Sequence, residues 1–326
     1  MWTVCDPIAE RRARRAAQAV AEAKALTFKE CALQYIADQE PGWKSAKHAS
    51  QWRATLETYA FPKIGHLPVG AVDTALVLTV LRPIWNGKTE TASRVRGRIE
   101  SILSWAKTSG FRQGDNPAAW RGHLENLLPH KSQVAPVEHH AALPYSELPK
   151  FMAKLRGRDG ISARALEFTI LTAARTGDTI GGKWKEVDEA NRLWTVQAAR
   201  MKGKKGVNKR DHVVPLADRA FALLQTLPRE GEFIFPGAKK NAALSNMAML
   251  ELLRGMGFGD LTVHGFRSAF KDWCSEQTAY PNELSEMAMA HTVSDKVEAA
   301  YRRGDMREKR RSLMADWAAF CGGVGQ

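Results

Sequence analysis

Helical periodicity of apolar residues dominates the first part of the chain. Residues 89–108 have the clearest pattern, because their apolar positions recur at the i, i+4, i+7 spacing of one buried helical stripe. The stripe consists of Val95, Ile99, Ile102, Leu103 and Ala106. Other helical patterns begin at Thr27 and near residue 45, and Asp73 is suited to cap a further helix. Residues 27–125 are therefore predicted to form a helical bundle of about four helices.

The stretch 126–140 breaks this periodicity. It contains prolines and adjacent histidines without a sustained apolar pattern, which is typical of a linker between domains. Residues 1–26 are rich in alanine, arginine and glutamate and predict a helical N-terminal segment or linker. A chain of 326 residues is long enough for two domains. We therefore expect a first domain over 27–125 and a second over 141–326.

The second predicted domain is mostly helical but contains a β-like region. Ser146 can cap its first helix, with Pro149 tolerated in the first turn, and residues 161–174 predict a buried apolar helix. Strand-like runs at 192–199 and 212–216 flank a very basic loop, which predicts a small antiparallel sheet. The expected fold class is therefore mainly α with a small antiparallel β-sheet (α+β).

The charge balance narrows the class of partner. The chain has 48 lysines and arginines against 35 acidic residues, a net charge of +13, and a chain this basic most often binds a polyanion. A merely soluble basic protein is the alternative. The four cysteines show no zinc spacing, no apolar run approaches 18 residues, and the N-terminus lacks a signal-peptide pattern. We expect a cytoplasmic protein that acts on nucleic acid, with no membrane partner.

Six polar residues of the second domain have the side chains needed to cut a phosphodiester without a metal. They are, in chain order, Arg175, Lys202, His264, Arg267, His291 and Tyr301. Arginine binds two phosphate oxygens at once, and tyrosine becomes a nucleophile beside a base such as histidine. Lysine can donate a proton to the departing oxygen. Each residue alone has a plain structural explanation, so only the combination favours catalysis.

The ordered set Arg–Lys–HxxR–His–Tyr resembles the active-site signature of the tyrosine recombinases, the phage integrase family. The segment RMKGKKGVNKRDHVVPL resembles the family's lysine hairpin, VHGFRSAFKDW its HxxR helix, and AYRRGDMREKRRSLMADWAAF its tyrosine helix and tail. In the first domain, YAFPKIGHLPV, TASRVRGRIESILSWA and NPAAW resemble the core-binding domain of integrases encoded by genomic islands and satellite prophages. The resemblance covers nearly the whole chain after about residue 6.

The resemblance implies a site-specific DNA recombinase, an integrase of a mobile element that joins strands through a 3′-phosphotyrosine. It implies that no cofactor and no metal are needed. Arg175 and Arg267 would clamp the scissile phosphate, and His291 would hydrogen-bond one of its oxygens.

The resemblance also assigns the proton transfers. His264 would accept the proton of Tyr301, and Lys202 would protonate the 5′-hydroxyl leaving group. Lys204, Lys205 and Lys209 lie on the same basic loop and are rivals of Lys202 for that role. Lys204 and Lys205 are also candidates for contacts with DNA.

The implied assembly is a C-shaped clamp on double-stranded DNA, with four protomers on two attachment sites and a monomer or weak oligomer without DNA. It would act in the cytoplasm of a bacterial cell in association with the nucleoid, with DNA-bending and directionality factors as possible partners. Arg94 and Arg98 lie opposite the buried stripe, on a face suited equally to DNA and to solvent. The tail has an apolar face that we expect to contact a neighbouring subunit, packing within its own chain being the alternative. That face consists of Leu313, Met314, Trp317 and Phe320.

Three departures from the family pattern stand out. Met289 and Ala290 precede His291, where the family has Leu-Gly, and Asp178 takes the position of a glutamate. Integrases of this subgroup usually carry an N-terminal domain for arm-type DNA sites. In those integrases a DPxxxR-like segment follows that domain, and here this segment lies almost at the start of the sequence. We therefore expect either a natural short form or a truncated chain.

Three other functions are compatible with parts of this pattern. A type IB topoisomerase-like enzyme would use the same chemistry without pairing two DNA sites. A non-catalytic site-specific DNA-binding protein would form no covalent adduct, and the presence of all six polar residues disfavours it. A metal-dependent nuclease would need clustered carboxylates, which the sequence does not show.

Overall fold

The fold is seen in a computed structural model, which describes residues 26–43, 46–134, 142–201, 211–291 and 306–323. Helices predominate and a small antiparallel sheet accompanies them, so the predicted fold class is confirmed. The chain separates into two compact units, residues 1–138 and 139–326. Among the helices of the described residues, none has the length and apolar character needed to cross a membrane. The predicted N-terminal helical segment lies outside the described residues up to residue 25.

The first unit is a helical bundle built around the predicted stripe. Its helices are α1 (Phe28–Gln39), α2 (Ala46–Tyr59), α3 (Thr74–Trp85), α4 (Thr89–Thr108) and the short α5 (Lys131–Val134). All five stripe residues of α4 are fully buried, in one core with apolar residues of α1 and α3 such as Ile36 and Leu81. Burying one such aliphatic side chain stabilises the fold by about 1.5–3 kcal/mol, so the stripe determines which face of α4 points inward.

Two of these helices have side-chain caps at their starts, and the cap at Asp73 was predicted from the sequence. Thr27 and Glu30 form a capping box, in which Thr27 Oγ1 accepts a hydrogen bond from the Glu30 amide at 3.2 Å and Glu30 Oε2 accepts one from the Thr27 amide at 2.8 Å. Asp73 Oδ1 accepts from the Leu76 amide at 2.8 Å. These bonds satisfy amides that a helix leaves unbonded at its start.

Part of the predicted linker belongs to the first unit. Leu128 is buried in its core, and the Pro129 carbonyl accepts a hydrogen bond from Trp85 Nε1 at 3.0 Å. Residues 131–134 form α5. The first unit therefore continues past its predicted end at residue 125, because a buried tryptophan and an apolar contact hold the following residues.

The second unit contains the sheet and the remaining helices. The helices are α6 (Leu148–Arg156), α7 (Ile161–Leu171), α8 (Thr176–Ile180), α9 (Asp218–Gln225), α10 (Ala248–Gly255), α11 (Gly265–Gln277), α12 (Asn282–Ala288) and α13 (Arg307–Gly322). The strands are β1 (Val187–Asp188), β2 (Leu193–Val196) and β3 (His212–Pro215). Helix α7 is buried along most of its length, so the other elements of the unit pack around it.

Strand β2 is the central strand of the sheet. Trp194 pairs with Val187 of β1 on one side and with Val214 of β3 on the other, both antiparallel. The two predicted strands are confirmed, whereas β1 was missed because two residues carry no alternating pattern. The Trp194 ring is fully buried and meets Phe168 of α7 edge-on, with 5.2 Å between ring centroids. The sheet is thereby fixed to the helix that leads to Arg175.

Two details of the helix boundaries differ from the prediction. Ser146 lies in a 3-10 turn and does not cap α6, whose N-cap position is taken by Glu147 without a side-chain bond. Pro149 does lie in the first turn, where its missing amide is not needed. Helix α7 ends at Leu171, before the predicted residue 174, because Ala173 has a φ of 49° that a right-handed helix cannot contain.

The tail helix α13 packs within its own unit. Leu313 and Trp317 are fully buried, Phe320 is partly buried against the same core, and Trp317 Nε1 donates to the Ile170 carbonyl at 2.8 Å. Arg310 is 2% exposed and donates to the Val213 carbonyl of β3 at 2.6 Å. The expectation that this apolar face contacts a neighbouring subunit is therefore wrong, because the face completes the core of its own chain.

Candidate active site

Three segments of the second unit bring polar side chains together. The turn after α7 leads to Arg175, the N-cap residue of α8. Helix α11 carries Arg267 in its first turn and has His264 as its N-cap residue. Helix α12 ends at Ala288, and the chain then reaches His291. Arg175, Arg267 and His291 therefore all lie at the ends of helices that the core holds in place.

Main-chain carbonyl groups hold the two arginines. Arg175 Nη2 donates to the Ala290 carbonyl at 2.9 Å. Arg267 Nη2 donates to the Met289 carbonyl at 2.7 Å, and its Nη1 donates to the Ala173 carbonyl. Because the carbonyl groups of residues 289 and 290 are consecutive, the two guanidinium groups meet at one loop. We call residues 289–291 the arginine loop.

Two of the residues that supply these carbonyls have a left-handed backbone. Ala173 has a φ of 49° and Ala290 a φ of 52°. An L-residue in this region is disfavoured by about 1–2 kcal/mol, and such strain persists only where the surroundings enforce it. The departure at Ala290 therefore falls where glycine, with no Cβ, would adopt the required conformation at no steric cost.

His291 connects Arg267 to a carboxylate. Arg267 Nη2 lies 3.0 Å from His291 Nε2, and because a guanidinium only donates, this ring nitrogen is the acceptor. The ring proton is then on Nδ1, which donates to Glu286 Oε2 at 2.7 Å. Burial acts to raise the pKa of Glu286, but hydrogen bonds from Lys271 and His291 outweigh it and keep that pKa below its ordinary value. An ionised Glu286 thus orients the ring of His291.

Burial and mutual repulsion set the electrostatics of the arginine pair. Arg267 is 4% exposed, and its burial, followed by the nearby charge of Arg175, lowers its pKa to about 10. Asp178 Oδ2 lies 3.8 Å from Arg175 Nη1, and burial raises the pKa of this carboxyl although three arginines act in the opposite direction. Arg175 Nη1 and Arg267 Nε are buried and have no hydrogen-bond partner among the described residues. The oxygens of an anion would supply those acceptors.

The remaining predicted site residues divide into two groups. His264 is exposed at the N-cap position of α11, one turn before Arg267. Lys202, Lys204, Lys205 and Tyr301 lie outside the described residues. The structure therefore brings Arg175, Arg267 and His291 together and places His264 on the helix of Arg267. The catalytic roles of all six residues stay predictions.

Sequence reasoning missed His212 and Glu286. His212 Nε2 lies 3.2 Å from the Ala288 carbonyl, just before the arginine loop. Burial, followed by the charge of Arg310, lowers the pKa of His212 to about 4, so the ring is neutral at pH 7 and donates to that carbonyl. The sequence contained a signal for His212, because this histidine begins the predicted strand HVVPL. No sequence signal points to Glu286, because it precedes His291 by five residues and no helical pattern connects residues at that spacing.

The two arginines predicted on the first unit have different surroundings. The Arg94 side chain is 68% exposed and pairs with Glu90 at 3.0 Å, so it lies on the surface of α4. Arg98 donates to the Gln51 carbonyl at 2.7 Å and lies over the Trp52 ring, 5.2 Å from its centroid. Arg98 thus joins α4 to α2, an intramolecular role that the sequence did not predict.

Both units match known protein families. The phage integrase central domain matches residues 28–123, and the phage integrase family matches residues 142–308. The second match contains every predicted catalytic residue.

Relatives and solved structures agree with these matches. The integrase of Enterobacteria phage P4 is 27% identical over 314 residues, which cover 91% of this chain and 69% of that protein. The prophage integrase IntA of Escherichia coli K12 is 30% identical over 275 residues, which cover 82% and 63%. The chain thus spans roughly two thirds of the length of these relatives. In fold it is similar to lambda integrase, solved as a tetramer bound to a Holliday junction, with a TM-score of 0.63, 16% identity, and coverage of 87% and 79%.

Proposed function

Because this chain belongs to the phage integrase family, we propose that it is a site-specific DNA recombinase that integrates or excises a mobile element. It breaks and rejoins DNA strands through a 3′-phosphotyrosine at Tyr301. The family matches cover most of both units, and they favour this function over a type IB topoisomerase-like enzyme and over a non-catalytic DNA-binding protein.

The observation that carries the proposal is the meeting of Arg175 and Arg267 at the arginine loop. Each has a buried N–H group without an acceptor among the described residues. A phosphodiester has one negative charge and two non-bridging oxygens, which match two guanidinium groups. Its charge also relieves the repulsion that contributes to the lowered pKa of Arg267. Glu286 holds the ring of His291 beside Arg267, where the ring can hydrogen-bond a phosphate oxygen.

The reaction exchanges one phosphoester bond for another. The Tyr301 oxygen attacks phosphorus while His264 takes the phenolic proton. The bond from phosphorus to the 5′ oxygen breaks, and Lys202 gives that oxygen a proton. The arginine pair stabilises the charge that builds up on the phosphate oxygens in the transition state. The 5′-hydroxyl of a partner strand reverses these steps and completes the exchange without ATP.

Strand exchange requires several copies of the protein on DNA. We propose that four protomers assemble on two attachment sites. The tetramer of lambda integrase on a Holliday junction supports this assembly by analogy. Arg94, Lys204 and Lys205 add contacts to the DNA backbone, and DNA-bending and directionality proteins regulate the outcome at the nucleoid.

A nicked suicide substrate tests the central step. Wild-type protein should become covalently attached to labelled DNA, seen as a slower band on a denaturing gel, and Tyr301→Phe should abolish that band. The matched control is Tyr280→Phe, since this second tyrosine of the same unit bonds Asp316 and has no role in the mechanism. An adduct that persists with Tyr301→Phe would show that another residue is the nucleophile.

The lysine assignment has its own test. Lys202→Ala should slow cleavage by about 10²–10⁴-fold, the effect of losing a general acid. Lys204→Ala should weaken DNA binding but change the cleavage rate little once the protein saturates the DNA. If the Lys204 variant is the slower of the two, the proton donor is Lys204.

A further inference from the structure

Lys271 lies one helical turn after Arg267 on α11, and residues four apart on a helix share one face. Lys271 Nζ donates to Glu286 Oε1 at 2.6 Å, while Glu286 Oε2 accepts from His291 Nδ1 at 2.7 Å. His291 Nε2 in turn accepts from Arg267 Nη2 at 3.0 Å. The four side chains therefore form a chain of hydrogen bonds that begins and ends on the same face of α11.

The ammonium group of Lys271 uses all its donors. Its three N–H groups match three acceptors on α12, which are the side-chain oxygen of Asn282, Ser285 Oγ at 2.7 Å and Glu286 Oε1. Ser285 is 2% exposed and donates its own proton to the Asn282 carbonyl at 2.7 Å, so the position of its oxygen is fixed. A solvated lysine keeps its rotational freedom, whereas these contacts hold the Lys271 head group at one place.

The two oxygens of Glu286 are divided between Lys271 and His291. No other hydrogen bond from the described residues reaches Oε1, so the lysine alone determines where that oxygen lies. The terminal torsion of a glutamate is broad, and a carboxylate without a partner on one oxygen can turn about it. Loss of Lys271 would therefore also free Oε2, the oxygen that accepts from the His291 ring.

We propose that Lys271 is a positioning residue for His291 and that it acts through Glu286. The proposal deepens the proposed function, because it rests on His291 as a ligand of the scissile phosphate. Arg267 bonds one ring nitrogen of His291, and the carboxylate that Lys271 fixes bonds the other. The ring is thus oriented before DNA binds.

The His291 ring can be observed directly in the protein without DNA. At about pH 8, where an ordinary histidine is neutral, ¹⁵N NMR of the wild type should show a protonated Nδ1 and an unprotonated Nε2. The signals are assigned by their absence from His291→Gln. In Lys271→Met the two ring shifts should move towards each other, because the second tautomer becomes populated. Shifts equal to those of the wild type would overturn the proposal.

Single-turnover cleavage of the suicide substrate tests the same connection in the reaction. Lys271→Met should slow cleavage about tenfold, because the ring is less often in place. Lys271→Arg should keep the wild-type ring shifts and stay within about threefold of the wild-type rate, because arginine keeps a charged donor for Oε1.

A double variant shows whether the effect passes through His291. In His291→Gln protein, addition of Lys271→Met should slow cleavage by less than about twofold, since the residue that Lys271 positions is already absent. If the full slowing persists in that background, Lys271 acts by another route and the proposal is overturned.

Asn282→Ala is the matched control for the contact between α11 and α12. It removes one acceptor of Lys271 but leaves the bonds to Ser285 and Glu286 in place. The ring shifts and the cleavage rate should both equal those of the wild type. If Asn282→Ala changes them as much as Lys271→Met does, the lysine only joins the two helices and the proposal is overturned.

The two measurements separate a failure of this proposal from a failure of the proposed function. If the wild-type protein forms no adduct with DNA, the recombinase function fails, whereas the ring shifts still decide whether Lys271 positions His291. If Lys271→Met does not fold, as judged by circular dichroism, Lys271→Gln replaces it and the same outcomes support or overturn the proposal.

Discussion

Replacement of Ala290 by glycine tests whether the arginine loop is strained. Ala290 has a φ of 52°, where its Cβ crowds the following carbonyl and costs about 1–2 kcal/mol. Glycine removes this strain, but it also gives the unfolded chain more freedom, which costs about 0.4–1 kcal/mol. The free energy of unfolding should therefore rise by about 0.5–1 kcal/mol in Ala290→Gly.

Thermal unfolding followed by circular dichroism measures this change. The second unit spans residues 139–326, a size at which 1 kcal/mol shifts Tm by about 2–4 °C. We expect the transition of that unit to move up by about 1–4 °C in Ala290→Gly. Cleavage of the suicide substrate should be retained, because glycine allows the same carbonyl to hold Arg175.

Ala288→Gly is the matched control. Ala288 is buried at the end of α12, where glycine should lower the free energy of unfolding by about 0.5–1 kcal/mol. If Ala290→Gly lowers Tm as much as Ala288→Gly does, the left-handed conformation carries no strain and the reasoning is refuted. Ala290→Val should lower both Tm and the cleavage rate, because a β-branched residue opposes a positive φ.

Three further predictions concern the surroundings of the site. Trp317→Ala should lower the free energy of unfolding by about 3–5 kcal/mol in urea titration, because the ring is fully buried and its Nε1 bonds the Ile170 carbonyl. His212 has a folded pKa of about 4 against about 6.5 unfolded, so its contribution to stability is present above pH 6.5 and is lost as pH falls towards 4, by about 3 kcal/mol. His212→Gln should flatten that part of a stability–pH curve, and an unchanged curve would contradict this assignment. Glu286→Gln should slow single-turnover cleavage roughly ten- to hundredfold, because the charge-assisted bond that orients His291 is lost, and a rate equal to wild type would exclude that role.

Local features of the first unit were predictable from the sequence. The capping residues Thr27 and Asp73 act on amides within three positions of themselves, so their pattern alone contains the interaction. The stripe of α4 was predictable because helical periodicity determines which side chains share a face. The hydrogen bond from Arg98 to the Gln51 carbonyl was not predictable, because Gln51 lies on another helix.

The ionisable residues of the site could be predicted from the sequence, but the main-chain groups that bind them could not. The resemblance selected Arg175, Arg267 and His291, and its departure at Ala290 falls on a residue whose backbone is left-handed. The carbonyl groups that bind the arginines leave no mark in a sequence, because every residue has one.

The tail shows a different limit. An apolar face on a predicted helix indicates that another protein surface covers it, but it does not identify that surface. Trp317 and its neighbours satisfy the same pattern whether they contact their own core or another protomer. Only the contacts of Trp317 with α7 decide the question for this chain.

Holding the arginines by carbonyls rather than by carboxylates has a consequence for how the site recognises its ligand. A carbonyl dipole orients a guanidinium but leaves its full charge uncompensated, whereas a carboxylate would be a resident competitor for the same fork. Asp178 lies 3.8 Å from Arg175, and burial raises the pKa of its carboxyl. Among the described residues, no carboxylate accepts a hydrogen bond from Arg175 or Arg267. An acidic substitution that strengthened this corner of the fold would occupy the place that we propose for the DNA phosphate.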